Sequence, residues 1–148
     1  MRNSMLSSEA RKQVNLEIPL ILKDAGLFEG ETLDNDEIVS KTDKRIYFWQ
    51  DRVDEIVAKS KSLFVVWQQV SISAIAKADD RVAARRSYVS ISIYSKFKSP
   101  NLKIEKLIND INTAFENYRW DFESISAATF DETTMLWQFP FSAIRIIK

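Results

Sequence analysis

The sequence predicts an α+β domain: a mainly antiparallel sheet of four to five strands with two helices on one face, in the order α-β-β-β-α-β-β. Three observations carry this expectation. Ile104, Leu107, Ile108, Ile111, Ala114, Phe115 and Tyr118 recur at helical spacing and form one apolar stripe. Residues 63–75 and 87–97 are rich in β-branched and aromatic residues and alternate apolar with polar over much of their length. Neighbouring strand candidates are joined by turns rather than helices, which favours antiparallel pairing. The length suits one domain, taken as residues 1–148.

The first helix is expected to begin at Ser7-Ser8-Glu9, where a hydroxyl cap is followed by an acid in the first turn. Val14, Ile18, Ile21, Leu22 and Ala25 give it an apolar face, and Gly26 stands where a helix stop belongs. Pro19 falls inside this pattern and is expected to kink or split the helix. Residues 29–45 are acidic and polar and read as a loop. Ile46-Tyr47-Phe48-Trp49 reads as a short aromatic strand. In residues 51–62, Val53, Ile56 and Val57 allow a short helix or a packed loop.

Two long strands follow. Phe64-Val65-Val66-Trp67 is continuously apolar, so that end of the first is expected to be covered on both faces. Farther on, Val70, Ile72 and Ala74 alternate with Ser71 and Ser73. In the second, Val89, Ile91 and Ile93 point one way, and Tyr88, Ser90, Ser92 and Tyr94 the other. Together they read as a long hairpin with a charged tip over residues 77–86. That tip lacks Asn-Gly or Asp-Gly, so a tight two-residue turn is not expected. Ser99 and Pro100 open the second helix. Residues 124–130 and 135–147 give two closing strands, with Asp131-Glu132-Thr133-Thr134 between them. Pro140 removes a ladder donor, so the last strand is expected at an edge or bulged there.

Composition narrows the chemistry. The chain has no His, no Cys and only two Gly. Zinc fingers, thiolate nucleophiles and Ser-His-Asp triads therefore have no material, and no glycine loop can cradle a phosphate. No cofactor is expected. Lys and Arg balance Asp and Glu at 21 each, which speaks against an electrostatic DNA clamp and leaves at most passive contact with DNA. No run approaches the ~20 apolar residues of a membrane helix, and the N-terminal residues do not read as a signal peptide.

Few candidate sites emerge. Asp34-Asn35-Asp36-Glu37 is acidic but lacks the glycine and the distant Glu of a calcium loop, so it reads as a solvated loop. Ser71, Ser73, Ser90 and Ser92 have no adjacent base and read as the wet side of a sheet. Trp49, Trp67, Trp120 and Trp137 serve either as stacking platforms for bases or, more commonly, as core. Asp79, Asp80, Arg81, Arg85 and Arg86 at the hairpin tip read as a contact surface or a solvated loop. Trp137, Phe139 and Phe141 share a strand parity and could line the core or a subunit interface.

This layout resembles the tail-terminator, or tail-completion, proteins of long-tailed bacteriophages and the related neck proteins. The likeness lies in element order: a helix ending near a Gly, an aromatic strand, two long strands with a charged loop, a helix opened by Ser99-Pro100, and a terminal strand pair. It spans about residues 9–147, with the Pro19 break and the acidic insertion between Gly30 and Arg45 as departures. The resemblance implies a non-enzymatic structural protein of the virion tail or neck, assembled in the host cytoplasm. It implies a ring, typically of six, that closes the tail tube and docks on the head connector. The implied partners are further copies of itself, the tail tube protein and the head–tail connector protein. The implied contact loop is residues 77–86. A small nucleic-acid-binding α+β module using sheet aromatics is the alternative.

Overall fold

The computed structural model describes residues 7–30, 45–53, 57–58, 61–78, 81–96, 102–124 and 128–147. Helix α1 is Ser7–Asp24, and strands β1 (Phe28–Glu29), β2 (Tyr47–Gln50), β3 (Leu63–Ala78) and β4 (Arg81–Ser95) follow. Helix α2 is Leu102–Asn117, and β5 (Asp121–Ser124), β6 (Thr129–Asp131) and β7 (Leu136–Ile147) complete the chain. The fold is α+β, with a mixed seven-stranded sheet in the order β1-β2-β3-β4-β7-β5 and β6 also on β7.

This corrects the expected sheet of four to five mainly antiparallel strands. The pairs β3–β4, β4–β7, β5–β7 and β6–β7 are antiparallel. The pairs β1–β2 and β2–β3 are parallel. The reason is connection length. The segment from Asp51 to Ser62 is long enough for the crossover that a parallel neighbour requires. The chain therefore returns to start β3 alongside β2 instead of turning back against it. β1 takes in Glu29, the first residue of what reads as an acidic loop; Phe28 N–H donates to Ile46 O at 2.9 Å and Gly30 N–H to Phe48 O at 2.8 Å.

One core joins both helices to one face of the sheet. Val14, Ile18, Ile21 and Leu22 of α1 meet Ile104, Leu107, Ile111 and Phe115 of α2 over Val65, Trp67, Val89, Ile91, Ile93, Phe139 and Phe141. Burying each such side chain is worth about 1.5–3 kcal/mol. Ile108 and Tyr118 sit at the margin of this core, half-buried. The other face is partly covered at one end, where Ala58, Phe64 and Leu136 cluster with Tyr94. That accounts for the unbroken apolar run at the start of β3.

α1 is one continuous helix through Pro19. A proline there forfeits a backbone bond and crowds the preceding turn, at a combined cost of about 3 kcal/mol. The buried Val14, Ile18, Ile21 and Leu22, on either side of it, hold the helix onto the sheet. Both helices end alike. At α1, Gly26 has φ 92°. There Leu27 N–H reaches back to Leu22 O (3.1 Å) and Gly26 N–H to Lys23 O (3.0 Å). At α2, Arg119 takes the glycine's role with φ 66°. Trp120 N–H donates to Phe115 O and Arg119 N–H to Glu116 O, both at 2.9 Å. These are Schellman stops, each sealed by the apolar contact that accompanies them. At the second, the Trp120 and Phe115 rings meet edge to face at 6.0 Å.

Pro140 lies opposite Ser92 of β4. On the other side of β7, the ladder to β6 ends at Gln138 and that to β5 begins at Phe141. On that side Pro140 thus falls at a local edge, the setting in which a strand tolerates proline. Ser99 and Pro100 lie outside the described residues.

Candidate interaction surface

The hairpin of β3 and β4 outgrows its neighbours. β2 accompanies β3 only as far as Trp67. β7 accompanies β4 from Ser95 to Arg85, where it meets Ile147. Beyond these points β3 and β4 pair only with each other among the described residues, down to Ala78 opposite Arg81. The ladder leaves two positions between Ala78 and Arg81. Those positions, Asp79 and Asp80, lie outside the described residues. Shifts in the ladder at Gln69/Ser71, Ala74/Ala76 and Ala76/Lys77 mark bulges along the arm.

Arg81, Arg85 and Arg86 therefore belong to strand β4, not to a loop. Arg81 lies at the far end of the arm and Arg85 where β7 stops. Arg86 is exposed, and its Nη1 donates to the Tyr88 hydroxyl at 3.2 Å. The aromatic candidates lie elsewhere. Phe139 and Phe141 are core residues, 7% and 6% exposed. Phe141 stacks on Phe122 with centroids 5.3 Å apart. Trp137 is half-buried against the same core and against Phe130 at 5.1 Å. The structure does not bring the arginines and these aromatics together. Trp67 and Trp120 are each 1% exposed, so neither is a stacking platform.

The sheet face away from the helices presents Gln68, Ser90, Tyr88, Arg86, Ser142 and Ile144 at exposed or half-buried positions. It is drier toward the covered end, where Ser92 is buried and accepts from Gln138 Nε2 at 3.0 Å. Tyr94, beside it, is raised above the usual tyrosine pKa, first by burial and then by the charge of Asp131; a hydrogen bond to Ser92 opposes this. Sequence reasoning missed the exposed apolar residues. Leu16 (66%) and Leu20 (53%) lie on the outer side of α1, and Met135 (63%) and Phe130 (41%) at the turn into β7. Their signal was present for α1: both leucines fall off its apolar stripe.

The main polar cluster is a tie between layers. Arg145 of β7 holds Glu17 of α1 with both terminal nitrogens, one bond measuring 2.8 Å. The guanidinium lies 4.5 Å over the Trp120 ring, whose Nε1 also donates to Glu17 at 3.0 Å. Arg145 reaches Tyr118 O at 3.3 Å as well. The Glu17 carboxylate thus accepts from fixed donors on both Arg145 and Trp120, which ties α1 to the sheet. Close by, Tyr118 donates to Asp24 at 2.5 Å, and that hydrogen bond raises the Tyr118 pKa.

Among the described residues no group of three or more His, Cys, Asp or Glu is placed to hold a metal ion. The acidic stretch at Asp34 lies outside them. No described helix is long and apolar enough to cross a membrane. No protein-family model matches the sequence, and no curated protein matches it either.

Proposed function

We propose that this chain is a structural assembly protein that acts by self-association and docking. In the reading that its resemblance supports, copies form a ring, typically of six, that closes a phage tail tube and joins it to the head connector. It would then reside in the tail or neck of the virion after assembly in the host cytoplasm. Its partners would be other copies of itself, the tail tube protein and the connector protein.

The observation that supports this reading is the arm of β3 and β4 that runs past β2 and β7. Two strands alone are marginally stable in water, and their open edges favour contact with another chain. Arg81, Arg85 and Arg86 along the arm suit pairing with carboxylates of a neighbour. A ring needs head-to-tail contacts that close, and an extended arm provides reach for them. The test is to mix purified protein with uncapped tail tubes and image the ends. Rings seated on tube ends support the reading. Bare tube ends, with no oligomer in solution, count against it.

A further inference from the structure

We propose that the outer face of α1 in one copy docks on the turn between β6 and β7 of the next, Leu16 and Leu20 packing against Phe130 and Met135 while lysines meet carboxylates around them. The proposal rests on the self-association proposed above and names a contact for it that is separate from the arm. Val14, Ile18, Ile21 and Leu22 of α1 are fully buried. Leu16 and Leu20 fall on the opposite side of the helix and are exposed. They are four residues apart, so they stack one turn above the other as a single apolar ridge. Lys12 and Lys23 are exposed on the same side, one beyond each end of that ridge. Among the described residues, the acids Glu17 and Asp24 are held by Arg145 and Tyr118. The ridge is therefore apolar with a basic border.

The turn has the complementary composition. Phe130 and Met135 flank it, both exposed, and Asp131 and Glu132 lie between them. Its shape is fixed: Met135 N–H donates to Asp131 O at 2.8 Å and Thr133 N–H to Asp131 Oδ1 at 2.9 Å. Met135 holds φ 59°, a left-handed conformation that Asn or Gly adopts more readily. A large apolar side chain is thus kept in water where a smaller residue would sit with less strain. Aromatic residues and Met are enriched in interface cores, with a polar rim around them. The two patches do not cover each other within one chain. Glu17, next to Leu16, is tied to Arg145 near the end of β7, whereas the turn precedes Leu136 at its start. From Leu136 to Arg145 the strand rises about 30 Å. Two different patches at distant ends of one molecule make a head-to-tail contact, the kind that closes a ring.

Reversing either charged border should break the contact, and mixing the two reversals should rebuild it. One variant carries Lys12→Glu and Lys23→Glu. The other carries Asp131→Asn and Glu132→Lys, the Asn keeping an acceptor for Thr133 N–H. Lys23 also pairs with Glu29 at 3.1 Å, but both are exposed, so its loss leaves the fold intact. Each variant alone should need at least about tenfold more protein than the parent to associate in native mass spectrometry, because like charges then face each other. Mixed in equal amounts, the two should associate at the parent's concentration, in complexes that contain both masses equally. Met135→Asn should weaken association while melting no lower than the parent. If the parent assembles only on tail tubes, the same proteins are compared there by imaging tube ends. Variants that associate like the parent, or a mixture that does no better than its components, overturn the docking alone and leave the assembly reading standing. A parent that stays monomeric, both in solution and with tubes, overturns the two together.

Discussion

Arg145 and Glu17, 128 positions apart in the chain, meet as a two-bonded ion pair that ties the last strand to the first helix. Each side chain is 16% exposed. Removing one partner of a buried pair strands the other charge, at a cost of several kcal/mol. Glu17→Ala should therefore destabilise the fold by about 3 kcal/mol in urea unfolding, the low end for such pairs because some water reaches this one. A loss below about 1 kcal/mol would mean that the pair behaves like a surface bridge.

The stop of α2 makes a prediction of opposite sign. Arg119 holds φ 66°, a conformation that costs a side-chain-bearing residue roughly 1–2 kcal/mol. Arg119→Gly should relieve part of that and stabilise the chain by about 0.5–1 kcal/mol, after the extra freedom glycine gives the unfolded state. A drop in thermal midpoint would show that the Arg119 side chain contributes more than its backbone strain costs.

The apolar stripe of α2 was legible because its spacing is strict, but spacing alone does not rank depth. Ile111 is fully buried, whereas Ile108 is half-buried at the margin. Ile111→Asp should abolish folding, as an unpaired charge would enter the core. Ile108→Asp should be distinctly milder, because its carboxylate can turn toward water. Circular dichroism melts of the two variants decide the ranking, and equal damage would contradict it.

Tyr118 and Tyr94 both have raised pKa values in the fold. A raised pKa means that the folded chain keeps its proton after the unfolded chain has lost it. The stabilisation is complete below the unfolded value of about 10 and disappears as pH climbs through the folded values. The thermal midpoint should fall above pH ~10, and less steeply in the double variant Tyr94→Phe, Tyr118→Phe. A parallel fall in both proteins would assign the alkaline loss to other groups.

Arg85→Glu with Arg86→Glu should leave the monomer folded, since Arg86 is exposed and lies beyond the core. Self-association, followed by light scattering over a concentration series, should weaken. Unchanged association would remove this stretch of β4 from the interface.

Much of this fold is readable from periodicity, and the parts that are not have definite causes. Val89, Ile91 and Ile93 alternate with polar residues and face the helices, because alternation along β4 puts every second side chain on the same face. β3 is harder. Its apolar phase changes between Trp67 and Val70, which in hindsight marks the bulge at Gln69/Ser71. The parallel placement of β2 depends on where residues 51–62 return the chain, which local pattern does not encode. Of the candidate residues, Arg81, Arg85 and Arg86 lie on β4, while Phe139 and Phe141 are core, since strand parity cannot tell an apolar interface from an apolar interior.

Native mass spectrometry of the intact chain across a concentration series tests the assembly reading most directly. A closed ring, with a hexamer the form expected on tail tubes, is the predicted result. A chain that stays monomeric at every concentration, and remains so when mixed with tail tubes, would contradict it.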